Sequence, residues 1–518
     1  MLALGRVERA ADFADRRKIC SNGVMSDATL DYGKPIECDV AIVGGELAGV
    51  VAASILANKG LSVVLVDEPP VLGGRGGSIE HRGYWLDGGH RAGHDVTDFM
   101  FNWNHGEEAA REAGVEVDVK PVGAGLRIHL VPAPGSNERG AIMDAAEWTP
   151  EGFANLARRA FACPEEGLAD FSVALDRISN TTPEERDAAV EVPLSDWLMG
   201  NVPNRAVHAA FLNMVKSMFS QFPERASAGR LMKLMELQVR SAEEGLMFTG
   251  FADHPEIGGV QGLFEPFVEG LERNGGRVIL DHRPVAVEFD GDRAVGVVAT
   301  SPAHLALRVR ARHVVVAYPL WSVLPLLPAE RVSDELRAMS RGLEDCATTG
   351  IGWVAGLSQM PHFGETGNVE DYDGWNRLLV GPEREFSGGF HFPSLGSRRI
   401  APDGRHLLSC FILNWVQRGE QPHWPTLDAK LQHAKAYLHD VYPDLEECLE
   451  WQADRYIDTT PAVAAGWYWA PVKRHGLRMP GCRNLFIPSS TNEGDVGTVD
   501  GCAWAGLEVA KEILAERG

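Results

Sequence analysis

The chain has 518 residues, 45% of them hydrophobic, enough to bury a large core in roughly two to four domains or one interleaved pair. A formal charge of -23 argues against a nucleic-acid partner, because phosphate binding needs clustered cations that no segment concentrates. Eight cysteines without C-x-x-C spacing exclude a zinc centre and a disulfide-dense scaffold, so no metal site is expected and reduced thiols in a cytoplasmic protein follow.

In chain order, residues 1–37 carry charges throughout, lack the apolar core of a signal peptide and read as a loosely ordered extension with a second candidate start at Met25. No run of about 18 apolar residues occurs, so no membrane span is expected, and peripheral membrane contact stays open.

From 38 to 89 the pattern is strand "DVAIVG", helix "AGVVAASILANKG" and strand "SVVLVD", a βαβ unit of the dinucleotide-binding kind. Gly44 and Gly49 take the first and third places of the G-x-G-x-x-G fingerprint, with Gly45 and Ala48 completing the turn. Glu46 takes the second, where backbone should approach a pyrophosphate. Its carboxylate would repel that pyrophosphate by about 1 kcal/mol in water at ~4 Å, and by several in a half-buried site. Asp67 ends the second strand, where such folds hold a ribose hydroxyl. In the "GGRGGS" that follows, Gly74 permits close backbone approach, and Arg75 offers a fork of donors to phosphate or ribityl oxygens.

Residues 90–257 and 331–475 are two helix-rich insertions, read together as one discontinuous domain. In the first, Phe211, Met214, Met218, Phe219, Met232 and Met235 recur at helical spacing, either as helix-packing core or as walls for an apolar ligand. His90, His94 and His105 invite a metal reading, but for His90 in "DGGH" a packing or substrate-pocket role is expected instead. Residues 258–330 give a helix, "GLFEPFVEGLERNGG", then a β-meander with D-G turns and the strand end "ARHVVVAYP". "GWYWAP" sets Trp467, Tyr468 and Trp469 ahead of the last segment, 476–518, which reads as strand, glycine loop and final helix. In that loop Glu493 and Asp495 are either general acids or bases or solvated loop charges.

"IVGGELAG", Asp67, "GGR", "DGGH", "GGVQGLFEPFVEGLERNGGRVIL" and "FIPSSTNEGDVGTVDGCAWAG" together resemble the flavin-containing superfamily of phytoene desaturases, amine oxidases and protoporphyrinogen oxidase. The C-terminal stretch is more similar to the desaturase branch. The resemblance implies an α/β protein: a Rossmann-like FAD-binding domain of the GR2 type (38–89, 258–330 and 476–518) with an interleaved α+β substrate domain. It implies non-covalent FAD, with Val285 at the adenine, Ala317 and Pro319 in the family's Ala-x-Pro stretch, and backbone of Gly497, Thr498 and Val499 at the flavin. Ser490 stands where many members carry an acid. Glu493, Asp495, Tyr468 and His90 are the candidate catalytic residues. The implied activity is FAD-dependent dehydrogenation or isomerisation of an apolar terpenoid or alicyclic molecule. The alternatives are a non-catalytic, flavin-poor subunit of a heteromeric enzyme and an amine oxidase. The electron acceptor, and homo- or hetero-oligomeric state, stay open.

Overall fold

A computed structural model describes residues 30–74, 77–87, 103–122, 126–144, 150–218, 226–243, 249–252, 254–346, 349–364, 375–382, 384–397, 399–414, 423–456, 470–493 and 499–517. The chain forms two compact units, each assembled from separate segments. Among the described residues, one draws on 30–120 with Gly250–Arg341 and Arg474–Gly518, the other on Pro121–Thr249 and Gly342–Lys473.

The first unit is organised by β1 (Ile36–Val43), α1 (Leu47–Asn58) and β2 (Val63–Val66). Val40–Val43 and all of β2 are buried, as expected for apolar runs at the centre of a parallel sheet. β1 pairs in parallel with β2 on one side and with the strand Ala306–Val316 on the other. Arg277–Ile279 extends the sheet beyond β2, and Leu485–Phe486 adds a short parallel pairing to Val314 and Val315. The expected meander holds only from Arg283 onward, where Arg283–Asp290 and Arg293–Thr300 form an antiparallel hairpin beside Ala306–Val316. Arg277–Ile279 leaves for the opposite edge because its partner is β2, whose end it receives through the Asp67 N–H donated to Ile279 O at 2.9 Å.

Every residue of α1 from Leu47 to Ala57 is buried. This helix has no polar face because it is covered on several sides by the sheet, the helix Gln261–Arg273 and the C-terminal helix Val499–Ala515. Two glycines let it sit that close. A Cβ on Gly49 would stand 2.0 Å from Gly44 O, and one on Gly506 would stand 2.4 Å from Ala48 O.

β3 (Ser78–His81) and β4 (Tyr84–Asp87) form a short hairpin that is tied to the start of the helix Gln261–Arg273. Asp87 accepts hydrogen bonds from Ser78 Oγ (2.5 Å) and Val260 N–H (2.9 Å), and Ser78 Oγ accepts the Gln261 N–H. α2 (Asn104–Ala113) falls in the stretch expected to belong to the substrate domain, but Ala109, Ala110 and Ala113 pack into the first unit's core. Asp500 fixes it there, accepting the Gly106 N–H at 2.9 Å and pairing with His105 Nδ1 at 2.8 Å. Of the described end of the extension, Tyr32 joins this unit by bonding to and stacking on the buried His282.

The second unit is built on a seven-stranded sheet. Its order is Leu449–Tyr456, Thr349–Leu357, His406–Asn414, Phe386–His391, Trp375–Val380, Leu126–Val131 and Ala141–Asp144. Only the Trp375–Val380 and Leu126–Val131 pairing is parallel. One face carries Leu378, Val380, Phe386, Phe390 and Ile412 against the helix Trp424–Val441, while Ile128 and Leu379 face the helical layer within 150–243. Phe211, Met214, Met232 and Met235 lie in that second core, which decides for helix packing over a ligand wall. Phe219 lies outside the described residues. Among the described residues no helix is long and apolar enough to cross a membrane, and no group of three metal-ligating side chains is gathered.

Candidate dinucleotide site

The end of β1 turns through Gly44, whose φ of +100° is open to glycine alone at little cost. Glu46 is the N-cap of α1, but its side chain makes no capping hydrogen bond, and the first turn contains no acid. A helix that starts this way presents N–H groups and the positive end of its dipole to an anion. The "GGRGGS" loop is laced to this turn by Gly73 N–H donating to Gly45 O at 2.8 Å. A Cβ on Gly45 would meet Leu72 Cδ2 at 2.2 Å and Asp67 Oδ2 at 2.9 Å, so the turn is a close cradle that only glycine fits.

Asp67 is buried at the end of β2. Its Oδ2 accepts the Gly45 N–H at 2.8 Å, and its Oδ1 accepts the Glu68 N–H at 3.0 Å and the Tyr318 hydroxyl at 2.6 Å. Burial pushes its carboxyl up to about 6; the three hydrogen bonds oppose this, and the neighbouring Glu46 charge adds to it. Burial, with the Asp67 charge and hydrogen bond behind it, holds the Tyr318 phenol well above its ordinary range, so it stays a donor.

Glu46 does not project away. Its Cγ lies 2.5 Å and its Oε1 2.9 Å from where a Cβ on Gly74 would stand. Gly74, at φ +56°, is thus the surface on which the Glu46 side chain rests.

Ala48 and Gly49 are buried in the first turn of α1, and Val499 opens the last helix. Val285 is 36% exposed on the edge hairpin. Ser490 is buried in a loop knitted by its neighbours: Ser489 Oγ to Thr491 Oγ1 at 2.6 Å, Thr491 Oγ1 to His475 Nε2 at 2.9 Å, and Asn492 Nδ2 to Ile487 O at 3.1 Å. Burial drives His475 down to about 4, so it works here as a neutral linker. Glu493 is exposed and its carboxylate receives the Arg474 N–H at 3.3 Å. Arg75, His90, His94, Trp467, Tyr468, Trp469, Asp495, Gly497 and Thr498 lie outside the described residues.

The sequence missed Tyr318, which occupies the x of Ala-x-Pro. The available signal was a large aromatic between the two motif residues, directly after a strand paired with β1.

The cradle at Gly44 and Gly45, the helix start and the buried Asp67 fit the adenosine and pyrophosphate end of FAD, and Glu46 and Tyr318 stand within that same site. Parallel βαβ pairing with these features defines a dinucleotide-binding α/β protein. The family pattern described as flavin containing amine oxidoreductase matches residues 47–514, and the chain belongs to that family. It is therefore an FAD-dependent oxidoreductase. Among curated proteins, the chloroplastic prolycopene isomerase of Daucus carota is 30% identical over 105 residues, spanning 20% of this chain and 17% of that protein. Of solved structures, a redesigned putrescine oxidase has TM-score 0.63 at 16% identity, covering 93% of this chain and 100% of its own. An oxidoreductase from Methanosarcina mazei gives 0.62 at 15% (91% and 100%), and cyclohexylamine oxidase from Brevibacterium oxydans gives 0.59 at 15% (93% and 99%). These structural likenesses establish the fold.

Proposed function

We propose that the protein is an FAD-dependent dehydrogenase or isomerase acting on an apolar, terpenoid or alicyclic small molecule. The observation that carries this reading is the 30% identity to a prolycopene isomerase over a 105-residue stretch. Bound FAD supplies a hydride acceptor for an activated C–H bond. The chain's part is to hold it. The α1 start and the Gly44–Gly45 turn receive the pyrophosphate, and Asp67 receives a ribose hydroxyl. The N-terminal end of the helix Val499–Ala515 favours negative charge gained by the ring. In a dehydrogenation the neighbouring carbon loses a proton to a base, for which Asp495, Tyr468 and His90 are the candidates, and the electron pair passes on to a quinone, a protein carrier or oxygen. In an isomerisation no net electrons leave.

Amine oxidation is the second reading, favoured by the likeness to putrescine and cyclohexylamine oxidases. Anaerobic titration of the purified protein separates the two. Loss of flavin absorbance at about 450 nm on adding polyenes or cyclic terpenoids, or isomer formation without lasting bleaching, is expected. Bleaching by amines alone overturns the proposal.

A further inference from the structure

We propose that Tyr318 is a gate on the adenosine end of the cofactor site, and that FAD binds by displacing its hydroxyl from Asp67. The inference rests on the FAD reading above but concerns how the site is filled, not which substrate is oxidised.

A carboxylate offers about four lone-pair positions. Three are committed, with both positions on Oδ1 taken by Glu68 N–H and Tyr318 O–H, and one on Oδ2 by Gly45 N–H. One position, on Oδ2, is left. A ribose that presents both of its vicinal hydroxyls to Asp67 needs two acceptor positions, and so competes with Tyr318 for Oδ1.

The Tyr318 ring also covers Gly44, with Cε1 and Cδ1 at 2.9 and 3.0 Å from that glycine's Cβ position. Tyr318 thus supplies both a donor where the ribose would donate and a planar body on the glycine turn.

Glu46 extends the arrangement. Its carboxylate rests on Gly74 beside the same helix start, and its charge is felt at Asp67. A hydroxyl and a carboxylate of the protein stand where a ribose hydroxyl and a phosphate of the ligand would stand. The expected consequence is a cofactor that exchanges readily, its affinity set by how easily Tyr318 swings from the Ala317–Pro319 turn.

The test uses the purified full chain. FAD release is followed by recovery of free-flavin fluorescence on serial dilution, and rebinding of FAD and of ADP by calorimetry, for wild type, Tyr318→Phe and Tyr318→Ala. Phe keeps the ring and removes only the bond to Asp67, so FAD and ADP should both bind about tenfold tighter. Ala should bind them at least as tightly as Phe, with circular dichroism melts reporting that each variant is folded. Equal or weaker binding of both ligands by the folded Phe variant overturns the gate, as does failure of every form to bind either ligand at millimolar concentration. A gate that fails in this assay leaves the substrate titration untouched, and a substrate titration that fails leaves the affinity ratio readable.

Discussion

Asp67 and Glu46 place two carboxylates at one end of the candidate cofactor site. The repulsion is visible in Asp67, whose carboxyl is raised by burial first and by the Glu46 charge in addition. Replacing Glu46 by Gly restores the second glycine of the fingerprint, frees the surface of Gly74 and removes a negative charge from the pyrophosphate position. FAD should bind Glu46→Gly about tenfold more tightly, the equivalent of ~1.4 kcal/mol, measured by flavin-fluorescence titration. Unchanged or weaker binding would show that the carboxylate does not oppose the pyrophosphate. The departure at Glu46 was legible in the sequence because a fingerprint position is a local property. Its resting place on Gly74, 28 positions further along, was not.

The elements meet through glycines whose importance lies in the distance between backbones. Gly506 brings the C-terminal helix onto the first turn of α1, 2.4 Å from Ala48 O and 3.0 Å from Val51 on a Cβ basis. Gly506→Leu has no room to relax except by pushing the two helices apart. Unfolding free energy should fall by roughly 2–4 kcal/mol, read by chemical denaturation, and FAD affinity should fall with it because the α1 start moves. A loss below 0.5 kcal/mol would mean that the helix pair tolerates separation. Sequence periodicity identified both helices; it could not say that they touch, or that Asp500 of one anchors the start of α2 across 395 positions. The methionine-rich helices show the same limit, since helical spacing of Met214, Met232 and Met235 serves a core and a ligand chamber equally.

Three buried groups of the first unit set opposing pH dependences for the molecule as a whole. Asp67, raised from 3.8 to about 6, and Glu265, raised by burial from 4.5 to about 7, hold protons more tightly folded than unfolded. Their stabilising contribution is complete below about pH 4 and is lost as pH rises through 6 to 7. His475, lowered by burial from 6.5 to about 4, resists protonation in the fold. Its contribution is complete above about pH 6.5 and is lost as pH falls through 4. Shifts of about two units correspond to at most ~3 kcal/mol per group, so the single histidine offsets only one of the two carboxyls. Wild-type stability, read by melts, should therefore fall modestly as pH rises from 4 to 7. In Asp67→Asn with Glu265→Gln it should instead rise with pH; in His475→Gln it should fall more steeply than in wild type. Parallel profiles in all three would overturn this balance.

By itself the sequence determined the family, the βαβ unit, the acid at the end of β2 and the final helix, because each is written in contiguous residues with a fixed period or spacing. It also placed most of both units' segments, since insertions announce themselves by a change of pattern. The tertiary structure alone decided that α2 joins the first unit, that the methionines are core and that Tyr318 holds Asp67. The anchor of α2 spans 395 positions and the Tyr318–Asp67 bond 251, fixed by where helices and strands meet and not by any local signal.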